Sequence, residues 1–259
     1  MMTKAFASNG AKVYIVGRRK EKLDEAAKIS PQSIIPIVGD VTSKDSLREV
    51  AKHVAEDCGF VNLLVCNSGV MIPALQVDPD KASVQEYAEA AMSQSMDEWN
   101  LGLTTNITGA MFTAFAFLEL LDAGNKKGNA PGRQSQILMT SSAAAYLRGR
   151  GMNMPYHASK SAVSHLTKNL SSTLIPYSIR VNALAPGLFP SQMADSLIAM
   201  GNPTKDPTED GSLPKAYIPA ERAGKTDDMA GTVLYLASAA GAYNNGNIVL
   251  IGKCGPCWK

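Results

Sequence analysis

The sequence predicts an α/β fold built on a parallel sheet with helices on both faces, and three observations predict it. Short apolar runs alternate along the chain with longer stretches whose apolar residues recur at helical spacing. Within the short runs apolar residues occupy consecutive positions, the pattern of strands buried on both faces. Each run then stops at Gly, Asn, Ser or Pro, residues that favour turns.

Taken in order, residues 1–9 read as a short helix ending at Gly10, which suits a helix terminus that needs a positive φ. Residues 12–17 form a strand, 19–28 a helix, and 34–38 a strand interrupted by Pro36. Residues 43–57 are helical and 61–66 form the next strand. A long connection leads from Asn67 to Asn106, with an added helical or loop segment at 82–96 near a cleft mouth. Residues 99–121 form a long apolar helix containing Asn106. Residues 122–135 are polar, glycine-rich and basic at Lys126, Lys127 and Arg133, which predicts an exposed loop. A strand at 136–140, a helix at 156–175 and a strand at 179–187 follow. Residues 189–218 carry several prolines and glycines around one short helical run, the composition of a mobile lid. A helix at 226–239 and a strand at 247–251 complete the pattern. No internal repeat or linker divides the chain, so residues 1–259 read as one domain.

Of 259 residues, 45% are hydrophobic and 19% charged, enough to bury a sizeable core. A formal net charge of +2 provides no broad basic field, so neither nucleic acid nor an anionic membrane surface is an implied partner. No apolar run reaches the ~18 residues of a membrane span. The best candidate, 110–121, is broken by Thr113 and Glu119. Without a signal-like apolar core at the N-terminus, a cytoplasmic location is expected. Cys58 and Cys66 fall in a predicted helix and strand, where free cysteines pack as small apolar residues. Cys254-Gly-Pro-Cys257 has the sequence of a thioredoxin redox loop, but no helix follows it to lower the first thiol's pKa, so incidental thiols are expected. A zinc site is not expected, because one Cys-x-x-Cys pair supplies two of four ligands.

The chemistry concentrates in residues 141–160. Tyr156 and Lys160 are four apart, and Pro155 suits the first position of a helix, so both side chains leave one helical face a turn apart. An ammonium fixed beside a phenol favours the phenolate, which makes Tyr156 a candidate acid or base. Two predicted strands end beside this helix, one at Ser141-Ser142 and one at Pro186-Gly187. Carboxyl ends of strands are where open α/β sheets hold their chemistry.

These residues resemble the short-chain dehydrogenase/reductase family. Ser142 and Tyr156-x-x-x-Lys160 match its Ser and Tyr-x-x-x-Lys pattern, Asn106 in Thr-Asn-Ile-Thr-Gly matches its helix asparagine, and Pro186-Gly187 through Ser191 matches its Pro-Gly-x-x-x-Thr segment. The stretches 185–193 and 241–246 look most like 3-oxoacyl-thioester reductases, including the rhamnolipid-pathway branch. The resemblance implies a Rossmann-type doubly wound parallel sheet and reversible hydride transfer between a nicotinamide cofactor and a carbonyl or secondary alcohol. Tyr156 would donate the proton, Ser142 would hydrogen-bond the carbonyl oxygen, Lys160 would lower the tyrosine pKa and hold the ribose, and Asn106 would help bind a relay water. Ser142 precedes Tyr156 by fourteen residues where thirteen is commoner, so Ser141 is an alternative. Arg18 and Arg19, after the strand at 12–17, suit a 2′-phosphate, so NADP(H) is favoured over NAD(H). Asp40 and Val41 would border the adenine, with Asn67, Gly69, Pro186, Gly187 and Ser191 also at the cofactor. A small-molecule carbonyl substrate and a homodimer or homotetramer are implied.

One family feature is absent from the sequence: an opening strand followed by a Gly-rich turn that receives the pyrophosphate. In the doubly wound order that strand lies between the strands at 12–17 and 61–66, so both neighbours would lose hydrogen-bond partners. Three outcomes follow: the sheet rearranges, another chain fills the gap, or this sequence begins at an internal methionine of a longer protein. The last is expected, together with weak dinucleotide binding. Two other classes stay open, a catalytically impaired scaffold or dimer partner, and a cofactor-independent lyase or isomerase using the Tyr156–Lys160 pair.

Overall fold

The structure is a computed structural model, and it describes residues 1–148 and 153–252. Cys254 and Cys257 lie outside the described residues. Six strands form, β1 (Val13–Gly17), β2 (Ile34–Val38), β3 (Leu63–Cys66), β4 (Gln136–Thr140), β5 (Arg180–Pro186) and β6 (Ile248–Ile251), and every pairing is parallel. They are split into a two-stranded sheet, β1-β2, and a four-stranded sheet in the order β3-β4-β5-β6. The break falls where the sequence places the absent strand. A cavity of about 1000 Å³ lies there, lined by residues of both β1 and β3.

Local chemistry accounts for most boundaries. Pro36 is tolerated because β2 is an edge strand. Ser33 and Gly39 bond to β1, so by alternation Pro36 faces outward, where its missing N–H is not needed. Helix α1 (Met2–Ser8) leads into β1, and α2 (Lys20–Ala27) joins β1 to β2. Helix α3 (Lys44–Asp57) starts at Ser43, whose side chain accepts from the Ser46 N–H. Helix α4 (Val84–Met92) occupies the added segment, opens on a Ser83–Glu86 capping box and buries no residue.

The expected helix at 99–121 is instead a chain of pieces. It comprises α5 (Met96–Leu103), a π-helical turn at Thr104–Gly109, α6 (Ala110–Ala116) and α7 (Leu118–Lys127). The bend of 45° falls at Phe117. Helix α7 also runs through Lys127, so the loop expected from residue 122 begins at Gly128. Gly128 closes the helix at φ 66°, and two lysines in the last turn face the negative end of the helix dipole. Among the described residues no single helix is long and apolar enough to cross a membrane.

Helix α8 (Met154–Thr173) carries Pro155 in its first turn, α9 (Asp195–Met200) sits in the segment after β5, and α10 (Thr226–Ala237) precedes β6. The core lies on both faces of the larger sheet. One cluster includes Val54, Leu121, Ile137, Val163 and Val181; the other includes Leu138, Leu184, Val233 and Leu236. Successive residues of β4 thus point to opposite apolar layers, as consecutive hydrophobic positions require.

A buried polar network fixes the other end of this sheet. Gln136 Oε1 accepts from Arg180 at 3.1 Å and from Asn182 at 2.6 Å. Arg180 also donates to the carbonyls of Gly241 and Asn244, and Asn182 Oδ1 accepts from the Asn247 N–H. The network ties β4 and β5 to the connector that feeds β6. Asn182 is fully buried, so Asn182→Ala leaves several polar groups unsatisfied and should lower stability by about 2–4 kcal/mol. Urea unfolding followed by circular dichroism would measure the loss.

Candidate active site

The site lies at the carboxyl ends of β3, β4 and β5, where α8 begins. Asn153 caps α8, accepting from the Tyr156 N–H at 3.1 Å, while its side-chain amide donates to the Ile72 carbonyl. Ile72 also packs on Gly102, where an added Cβ would lie 2.0 Å from Ile72 Cδ1. The start of the helix is therefore held by a loop that leaves no room for a side chain at 102.

Ser141 and Ser142 have different tasks. Ser141 is buried, and its hydroxyl bonds the Lys160 carbonyl at 2.9 Å and the Ser164 hydroxyl at 2.7 Å. That hydroxyl binds α8 to β4. Ser142 starts a 3₁₀ turn at Ala143–Ala145, accepts from the Ala144 N–H at 3.1 Å and contacts the Pro186 carbonyl at 3.4 Å. Its hydroxyl also lies close enough to the Tyr156 phenol to lower the phenol's pKa.

Asn106 sits in the π-turn and is 1% exposed. Its amide oxygen accepts from the Val70 N–H at 2.8 Å, and its amide nitrogen donates to the Val70 carbonyl at 2.9 Å and to Ser159 at 3.0 Å. Both N–H bonds are used, so Asn106 holds the loop after β3 against α8. Gly69 lies in the angle between them, where a Cβ would come within 3.1 Å of Asn106 Oδ1 and 3.4 Å of Lys160 Nζ.

The electrostatics depart from the expectation that Lys160 lowers the Tyr156 pKa. Lys160 Nζ donates to the Thr140 carbonyl at 2.8 Å and stands 5.8 Å from the centre of the Tyr156 ring. Burial depresses Lys160 to about 8 by stripping its ammonium of hydration. The Tyr156 phenol is raised, chiefly by burial, with the Ser142 hydrogen bond opposing. In this structure desolvation outweighs the Ser142 contact, so the phenol is held as a proton donor at neutral pH.

The remaining predicted residues spread along the same edge. Asn67 accepts from the Thr140 hydroxyl at 3.3 Å, and Gly187 donates to the Ile251 carbonyl at 2.8 Å. The Ser191 carbonyl caps the turn into Ala194. Asp40 accepts from the Thr42 N–H at 2.9 Å and hydroxyl at 2.7 Å, bonds that hold it below the usual carboxylate range, with Arg18 assisting. Val41 packs on Gly109 in the π-turn. Arg19 donates from both terminal nitrogens to Gln192 Oε1, each at 3.2 Å. Arg18, Arg19, Asp40 and Val41 thus gather at the ends of β1 and β2, apart from Tyr156. Sequence reasoning missed Asn153, Ser159 and Gln192. Asn153 had a signal, an N-cap asparagine two residues before a proline; the others had none.

A buried phenol flanked by a hydroxyl and an ammonium at the carboxyl edge of a parallel sheet defines a class of α/β oxidoreductase. The family model described as Enoyl-(Acyl carrier protein) reductase matches residues 1–253. The chain is 45% identical over 263 residues to a short-chain dehydrogenase/reductase, SAT3, of Stachybotrys chartarum, covering 96% of this chain and 95% of that protein. It is 41% identical over 253 residues to PhomF of Diaporthe leptostromiformis, covering 96% and 84%. It resembles the structure of the Pseudomonas aeruginosa RhlG/NADP active-site complex, with a TM-score of 0.77, 26% identity and coverage of 97% and 89%. The chain belongs to the short-chain dehydrogenase/reductase family, whose members are oxidoreductases of carbonyl and alcohol substrates.

The buried lysine makes stability depend on pH. Lys160 is about 8 in the fold and near 10.5 when unfolded, so below pH 8 the unfolded chain holds its proton more tightly. That penalty, about 3 kcal/mol, fades as pH rises from 8 to 10.5. Lys160→Met should flatten the pH dependence of stability between pH 8 and 10.5, as thermal unfolding across the range would record.

Proposed function

We propose that this chain is an NADP(H)-dependent oxidoreductase that interconverts a carbonyl and a secondary alcohol. The observation that carries the reading is the placement of the buried Tyr156 phenol beside Ser142 at the end of β4, with Lys160 buried one turn away. The residues present fit the two ends of a nicotinamide dinucleotide. Lys160, Asn67, Pro186, Gly187 and Ser191 would hold the nicotinamide ribose end, and the space Gly69 leaves beside Lys160 admits close backbone approach. Arg18, Arg19, Asp40 and Val41 would hold the adenosine end, with the guanidinium groups toward a 2′-phosphate. When bound, the cofactor supplies or accepts a hydride at the substrate carbon.

The chain's own groups do the rest. In the direction of reduction, Ser142 orients the carbonyl oxygen, and Tyr156 protonates that oxygen as negative charge develops on it. A phenol raised by burial is protonated at pH 7, the state this step needs. Lys160 supplies positive charge under the ring and a path for replacing the proton. Asn106 acts by position, keeping the Val70 loop and α8 together. The substrate would be a 3-oxoacyl thioester or a polyketide-like ketone, a class supported by the acyl carrier named in the family description. A homodimer or homotetramer is the proposed assembly.

Tyr156→Phe should lower turnover by about 10²-fold or more while leaving the fold intact. Steady-state kinetics with an acetoacetyl thioester and NADPH would measure this, and near-normal turnover would refute the role. Arg18→Ala combined with Arg19→Ala should weaken NADPH binding by about tenfold or more, as loss of a charge-assisted hydrogen bond requires, and leave NADH nearly unchanged. Fluorescence titration separates the cases, since an equal loss for both cofactors means the arginines do not read the phosphate.

A further inference from the structure

We propose that Tyr146 is a positioning residue for Ser142: its phenol closes a chain of hydroxyls that fastens the turn carrying Ser142 to α8. The inference rests on the role given to Ser142 above.

The chain has one proton order. The Tyr146 hydroxyl donates to Ser164 Oγ at 3.1 Å, the Ser164 and Ser141 hydroxyls bond each other at 2.7 Å, and Ser141 donates to the Lys160 carbonyl at 2.9 Å. A carbonyl can only accept, so Ser141 spends its single proton there and must accept from Ser164. Ser164 then has no proton left for the phenol and accepts from it. All three hydroxyls point the same way, an arrangement in which each bond polarises the next. Ser141 and Ser164 are buried, whereas Tyr146 lies partly at the surface and sends its hydroxyl inward.

The turn needs this hold. Ser142 opens the 3₁₀ turn at Ala143–Ala145, and Tyr146 closes it, its N–H donating to the Ala143 carbonyl at 3.0 Å. Ser142's own hydroxyl bonds are long, 3.1 Å from the Ala144 N–H and 3.4 Å to the Pro186 carbonyl. Behind the turn two tethers run to α8: Ser161 donates to the Ala145 carbonyl at 2.8 Å, and Ser164 receives the phenol. Ser161 and Ser164 are three apart, so they share the helix face just past Lys160. The tethers at the far end of the turn thus set where its first residue stands relative to Tyr156. The Ser161 bond is exposed, where water competes for the same carbonyl. The phenol ends on a buried hydroxyl, so it is the tether that water replaces less readily.

The test compares Tyr146→Phe, which keeps the ring and removes only the hydroxyl, with Ser164→Ala and with both changes together. Amide exchange followed by nuclear magnetic resonance reads Ser142 directly, because its hydroxyl holds the Ala144 N–H. Tyr146→Phe should speed exchange at Ala144 by about tenfold. Leu138, in the core of β4, reports the stability of the fold as a whole and should change less. Turnover of an acetoacetyl thioester with NADPH should fall about fivefold in kcat with KM unchanged. Ser164→Ala should reproduce both effects, and adding Tyr146→Phe to it should change neither further. The proposal is overturned if exchange at Ala144 rises no more than at Leu138, or if the two substitutions add. It is also overturned if KM rises in place of the fall in kcat, which would mean that the phenol touches substrate. Normal turnover of Ser142→Ala would instead refute the role given to Ser142, and exchange at Ala144 would still decide whether Tyr146 holds the turn.

Discussion

The pinning of α8 to the end of β4 is the constraint on which the rest of the site depends. Ser141 bonds the Lys160 carbonyl while the Lys160 ammonium bonds the Thr140 carbonyl, so strand and helix grip each other from both sides. Both bonds are buried or half-buried, where a lost partner is not replaced by water. Once the helix is fixed there, Tyr156 has one place to stand, beside Ser142. Asn153 and Asn106 then bring the loop after β3 to the same point from two directions. The site is thus a junction of three segments, each held by side chains that bond to main chain.

Much of this was legible in the sequence because the relevant residues carry strong local preferences. Pro155 marks the start of α8, consecutive apolar residues mark β4 and β5, and Tyr156 with Lys160 obeys helical spacing. The break in the sheet was legible too, since strand order follows from connection rules and not from side chains. The end of α7 was written at Lys126-Lys127-Gly128, but its polar surface reads equally as loop. The electrostatics of Tyr156 were not legible. Spacing placed the lysine nearby, whereas the sign of the shift was decided by burial, a property of the whole fold.

The two ends of the larger sheet are built on different principles. At the carboxyl end Ser141, Asn106 and Lys160 bond mainly to main chain of neighbouring segments. At the amino end Gln136, Arg180 and Asn182 form one closed set with the 241–247 connector. Arg180 has no carboxylate in that set, and its Nε has no partner among the described residues. Its charge is carried by carbonyl dipoles and an amide oxygen. Such a set fixes the register of β5 against β4, and with it the height at which Pro186 and Gly187 meet the site.

The π-turn at Thr104–Gly109 has a consequence of its own. A single π-turn is what a helix forms when it absorbs one extra residue without breaking. Everything after that point is rotated by about 100°, one residue's share of a helical turn. The helix thus presents two faces that no regular helix of this length could combine. Asn106 looks toward α8, while Ala110 and Ala114 look into the core against the large sheet. Shortening the turn by one residue would leave a straighter and more regular helix, with either the asparagine or the core face aimed the wrong way.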